Sequence, residues 1–166
     1  VYDPDTSQFV IVYSLNGNEL RGRTVSYSGT NPTFGTDTQL VSGQSQVEWD
    51  PNNRLVYDTT ANKVIVSWRN GSSNGSFNSI TVSGSSISAS STTATSFSWD
   101  NKRAATGAYD SNSNRTLGIY YDGSDLKFVV TNNTGSTPSV YAATGSYIAG
   151  SQNHNEISFT DTSGNF

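Results

Sequence analysis

One phrase is written three times in this chain. It opens as YDPDTSQFVIVY at Tyr2, returns as YDTTANKVIVSW at Tyr57, and returns again as YDSNSNRTLGIY at Tyr109. The copies are 55 and 52 residues apart. An internal repeat of that length constrains the fold more than any other feature, because each copy must be one supersecondary unit that buries its apolar face against its neighbours. Seven residues after each Tyr an apolar run begins: Phe9 to Tyr13, Val64 to Trp68 and Thr116 to Tyr120. A polar turn and a second run follow, at Arg21 to Tyr27, Phe77 to Ser83 and Leu126 to Thr131. A small turn comes next, with Gly29, Gly84 and Gly135 lying 27, 27 and 26 residues after the anchoring Tyr. A weaker third strand is expected around Phe34, Ile87 and Val140, and a fourth around Val47 to Asp50, Phe97 to Asp100 and Ile157 to Asp161.

Each unit thus reads as four short strands, the content of a β-propeller blade. The expected fold is all-β, a propeller-like array of about three four-stranded antiparallel units; a β-sandwich and a trimeric β-prism are the competing architectures. Residues 1–166 form one repeat domain, with units at roughly 2–56, 57–108 and 109–166. In the first run Phe9, Ile11 and Tyr13 point one way, and Val10 and Val12 the other. Both sets are apolar, so this strand is expected to be buried on both faces, as between neighbouring blades. The end of the chain also continues in phase into its beginning. Either a second copy completes the sheet and closes a ring, or the chain is a window on a longer array.

Composition narrows the function classes. The chain is 33% hydrophobic and 13% charged, yet 11% aromatic, which favours short strands with polar turns over disorder. Its net charge is −4, and no Lys/Arg cluster offers a nucleic-acid footprint. The longest apolar run, Phe9 to Tyr13, is too short to insert across a membrane. The absence of Cys removes disulfide and thiolate chemistry.

The hairpin acids Asp3, Asp5, Asp58 and Asp110 have alternate-residue oxygen spacing that begins many calcium loops. Asp and Asn also close tight turns by bonding their own backbone, and no downstream Gly and Glu complete a calcium loop here. No cofactor is expected. His154 is the single histidine, and no pair of acids is marked out as a glycosidase pair. A carbohydrate-active enzyme is the third-ranked reading, with Glu48 and Asp37 the acids whose substitution would test it. Recurring aromatics such as Tyr13, Trp68 and Tyr120 are expected to pack between units. Less regular side chains are the ligand-binding candidates: Tyr27, Arg69, Tyr121, Tyr141, Tyr147 and His154. The loops 70–75 and 145–155 differ most between copies, and loops carry function on such scaffolds.

The phrase YDPDTSQFVIVY, followed by Ser28-Gly29-Thr30 and Phe34-Gly35, resembles a repeat of tail-fibre and other virion structural proteins of marine bacteriophages, and of large bacterial surface proteins. The first unit carries the whole pattern, including Pro4 and Asp5. The other two keep the Tyr-Asp, the apolar strand and the small turn. The resemblance implies a non-enzymatic virion structural or receptor-binding protein, on a virion or a cell surface. A lectin-like adhesin module of a bacterial surface is the alternative. The implied partners are further copies of the chain or neighbouring repeats, and host surface glycans.

Overall fold

A computed structural model describes residues 1–16, 19–42, 55–69, 72, 74–98, 106–121 and 125–149. These residues form fourteen strands in three antiparallel sheets, with no helix among them. The fold is all-β, as the repeat implied. Sheet 1 contains β1 (Tyr2–Asp3), β2 (Gln8–Leu15), β3 (Glu19–Ser28), β4 (Asn31–Phe34) and β5 (Thr38–Val41). Sheet 2 contains β6 (Leu55–Asp58), β7 (Lys63–Arg69), β8 (Asn74–Ser83), β9 (Ser86–Ala89) and β10 (Thr93–Ser98). Sheet 3 contains β11 (Thr106–Asp110), β12 (Arg115–Tyr121), β13 (Asp125–Asn132) and β14 (Ser139–Ala149).

Each sheet has four rows, in the same order along the chain. The Tyr-Asp phrase is itself the first row, and it pairs across a tight turn with the apolar run: Tyr2 with Phe9, Tyr57 with Val64, Tyr109 with Thr116. The third row pairs back on the second. The fourth row is continuous in sheet 3 but broken in the others, where β4 and β5 both pair with β3, and β9 and β10 both pair with β8. The fourth strand expected in unit 2 is present. Phe97 lies in β10, which continues the row begun by β9 instead of adding a row of its own. Val47 to Asp50, Trp99, Asp100 and Ile157 to Asp161 lie outside the described residues. Gly145 likewise belongs to a strand, not a loop, since β14 runs on to Ala149.

Turn chemistry explains why the hairpins recur. Ser7, Asn62 and Asn114, each five residues after its Tyr, all take a left-handed conformation (φ 55°, 53° and 55°). Asn tolerates that region better than Ser, because its short amide bonds the local backbone. Ser7→Asn is therefore expected to stabilise the protein by about 0.5 kcal/mol, read as a higher denaturation midpoint; an unchanged or lower midpoint would refute the assignment. Gly29 and Gly84 hold the small turn at φ +63° and +58°, where a β-carbon would strain the backbone.

The sheets pack face on face with sheet 2 in the middle. One joint is apolar. Val10, Val12, Leu20, Leu40 and Val41 of sheet 1 meet Val64, Val66, Trp68, Ile80 and Ile87 of sheet 2. The other joint is partly polar and close. A β-carbon at Gly107 of sheet 3 would come within 2.9 Å of a Val56 methyl of sheet 2, so glycine there lets the sheets approach. The expectation that the apolar run is buried on both faces holds for β7, where Val64, Ile65 and Val66 are all buried. It fails for β2. Val10 is buried, but Phe9 is 44% and Ile11 42% exposed, because nothing among the described residues covers that face of sheet 1.

Candidate functional site

The turn acids are the most regular polar feature. Asp3 Oδ1 accepts the backbone N–H of Asp5 at 3.0 Å, and Asp3 Oδ2 accepts the Thr6 hydroxyl at 2.8 Å. Asp58 Oδ1 accepts the N–H groups of Thr60 and Ala61 at 3.0 and 2.8 Å. Asp110 accepts the N–H groups of Asn112 and Ser113 and the Ser113 hydroxyl. The Ser113 bond, with the two backbone bonds, holds the Asp110 carboxyl below its ordinary value against the opposing effect of burial. These calcium candidates thus spend their oxygens on turns, while Asp5 is exposed beside Asp3. Among the described residues no group of three or more His, Asp or Glu side chains is placed to hold a metal ion.

The turns also join sheet to sheet, and the contacts recur. The Gln8 amide of sheet 1 donates to the Gly84 carbonyl of sheet 2 at 2.7 Å. Lys63, at the same repeat position in sheet 2, donates to the Gly135 carbonyl of sheet 3 at 2.9 Å. The phrase tyrosines make a second recurring contact. The Tyr57 hydroxyl faces the Asp3 and Asp5 carboxylates without a direct hydrogen bond, and its pKa is pushed well up, first by burial and then by those carboxylates. The Tyr109 hydroxyl lies 2.6 Å from Thr60 Oγ1, and burial raises its pKa too. Thr60 occupies in its turn the place that Asp5 has in the first. At the joint between sheets 2 and 3, Asn133 Nδ2 donates to Asp58 Oδ2 at 3.0 Å and to Thr116 Oγ1 at 2.8 Å, and its Oδ1 accepts from Thr131 at 3.0 Å. All four side chains are buried. A fully satisfied buried network of this kind fixes one geometry, since any shift leaves a polar group unpaired.

The open face of sheet 1 is the second feature. Tyr2 and Phe9 pack with ring centroids 5.1 Å apart, and Phe9 meets Tyr27 edge-on at 6.0 Å. The Arg23 guanidinium lies over the Phe34 ring at 5.8 Å. Asp37 accepts the Tyr13 hydroxyl at 2.6 Å and pairs with Arg21 and Arg23 at 3.1 and 3.4 Å. The Tyr13 bond, then the two cations, lower the Asp37 carboxyl. Asp37, one of the two acids the enzyme reading would test, is thus engaged in this surface cluster. Glu48 lies outside the described residues.

The ligand-binding candidates separate by position. Tyr27 stands on the open face of sheet 1, 60% exposed. Arg69 and Tyr121 are the last residues of β7 and β12 and share one repeat position, so the fold brings them to the same end of the stack. Tyr147 lies near that end of β14, one residue before Ile148, which pairs with Leu126. Tyr141 lies in β14 toward the other end, beside Val140. His154 and the loop residues after Ala149 lie outside the described residues. Phe9, Arg23 and Phe34 form a joint surface that the sequence does not single out. They lie on β2, β3 and β4, and nothing in the sequence pattern says that this copy of the face is uncovered.

Comparisons with protein-family models, with curated proteins and with solved structures give no match.

Proposed function

We propose that the chain is a non-enzymatic building block of an extracellular assembly: a propeller-like unit of the kind resembled by bacteriophage tail fibres, which stacks with further units and presents one end of the stack to a host receptor. The observation that supports this reading best is the use of its recurring polar side chains. Asp3, Asp58, Asp110, Gln8, Lys63 and the phrase tyrosines serve turns and sheet-to-sheet contacts. A scaffold so organised leaves recognition to the end where strands are linked by variable loops, which carries Arg69 and Tyr121. A sugar is the ligand class that suits tyrosine and arginine residues at one end of the stack, through stacking and hydrogen bonds.

The test is fractionation with an antiserum against the protein. Banding with purified phage particles supports the virion reading, and recovery from bacterial envelopes alone supports the lectin-like adhesin instead. A glycan array then tests the receptor. Binding that Tyr121→Ala weakens at least ~10-fold is expected; no binding by the assembled protein removes the glycan part of the reading.

A further inference from the structure

The two joints within the chain follow one rule. In each, the side chain six residues after the phrase Tyr donates to the turn-glycine carbonyl of the next sheet: Gln8 to Gly84, Lys63 to Gly135. In each, the phrase Tyr of the later sheet reaches into the Asp turn of the earlier one: Tyr57 to the Asp3–Asp5 turn, Tyr109 to Thr60. In each, the face that carries Val10 or Ile65 covers the face that carries Val64 or Thr116, and all four residues are buried.

The residues that would make a third such joint are present, but at opposite ends of the stack. Sheet 3 carries Arg115 where Gln8 and Lys63 stand, and the Asp110–Asn112 turn where the earlier Asp turns stand. Its outer face carries Leu117 at the position of Val10, with Val130 opposite it, and both are half-buried instead of buried. Sheet 1 carries the complement: the Gly29 turn, a 44% exposed Tyr2, and an open face with Phe9, Ile11 and Phe34. Its Phe9 stands where the fully buried Val64 stands in sheet 2. Tyr27 takes the place of Asn133, which in the joint between sheets 2 and 3 donates to the counterpart of Asp110.

We propose that the open face of sheet 1 docks on the outer face of sheet 3 of a second copy of this chain, head to tail, with Tyr2 against the Asp110–Asn112 turn and Arg115 against the Gly29 carbonyl. The equivalent face of sheet 2 is covered by sheet 1, and that of sheet 3 by sheet 2, so the surface that fits here is the one on the outside of sheet 3. Such a contact uses two different patches, so it closes a ring or extends a filament according to the rotation per step. It stands whether or not the assembly belongs to a virion, so the fractionation and glycan tests can fail without touching it.

Light scattering across a concentration series tests the proposal. The mass of the unsubstituted 166-residue chain should rise above the 17.8 kDa of one copy. The double variant Tyr27→Asp, Phe34→Asp should stay at that mass; both residues are more than half exposed, so it should still unfold cooperatively, with a thermal transition lowered only by the lost ring contacts to Phe9 and Arg23. Because the chain has no cysteine, cross-linking gives an arm that does not depend on that variant folding. Arg115→Cys and Thr30→Cys proteins, mixed and treated with a short bismaleimide, should link unlike chains and not like ones. An unsubstituted chain that remains at the mass of one copy at about 1 mM overturns the proposal. So does association undiminished in the double variant, or cross-linking mainly between like chains, which would mean a two-fold pairing. Glycan binding by a single copy that the double variant abolishes would assign the face to a sugar and likewise overturn it.

Discussion

Asp58→Ala is expected to cost the protein about 3 kcal/mol, and Asp3→Ala about half as much. Both carboxylates close a turn by accepting N–H groups two or three residues on, and both are buried. Only Asp58 also accepts an amide from the next sheet, through Asn133. Removing it leaves one N–H of the fully buried Asn133 amide without an acceptor while the other still reaches Thr116, and an unpaired buried donor costs about 1–3 kcal/mol beyond the loss of the bond. In a domain whose total stability is on the order of 10 kcal/mol, that lowers the melting temperature by roughly 6–12 °C. Urea unfolding of both variants checks the difference, and Asn133→Ala in each background isolates the cross-sheet part. Equal losses for Asp58→Ala and Asp3→Ala would show that the carboxylate acts only within its turn.

Trp68→Ala should be more damaging, at about 4–5 kcal/mol. The indole is 1% exposed in the apolar joint between sheets 1 and 2, beside Val64, Val66 and Ile80. Its ring N–H donates to Asn78 Oδ1 at 2.8 Å, and the Asn78 amide donates in turn to the Ser90 carbonyl at 2.9 Å. The truncation opens a cavity and removes the donor together. Trp68→Phe separates the two effects, because it keeps most of the volume and loses the N–H, and it should cost about 1–3 kcal/mol. A loss under about 1 kcal/mol for Trp68→Ala would mean that the joint collapses around the gap or that the sheets do not pack there.

Much of this fold is legible in the repeat. A phrase that recurs with its aromatic residue and turn glycine in step implies units that bury one another, and the sheets begin within three residues of the unit boundaries read from the sequence. The row count was less legible. A two-residue strand such as Tyr2–Asp3 has too little periodicity to announce itself, and its role appears only when Tyr2 pairs with Phe9. The fate of an apolar face was not legible at all. Phe9 and Val64 hold the same position with similar hydrophobicity, yet one is open and the other closed, because burial depends on which sheet stands next to it. The buried network at Asp58 stayed hidden for a related reason. Asn133 follows the end of β13 in an Asn/Ser/Thr-rich stretch, where one asparagine looks like any other until the next sheet brings a carboxylate to it.

The two joints share a backbone plan and differ in what fills them, and that difference acts as an address. Where sheet 2 offers Val64, Ile80 and Val82 to its neighbour, sheet 3 offers Thr116, Thr131 and Asn133. Stacked out of sequence, with the Asp58 turn against the Tyr27 face of sheet 1, the carboxylate would lose its amide partner, and the Asn133 amide would be left with one acceptor fewer. Each wrong neighbour therefore carries an electrostatic penalty as well as a poor fit. Units this alike could otherwise exchange places during folding, as multi-unit chains with near-identical segments do. Four side chains at one seam are enough to write the order of assembly into the protein.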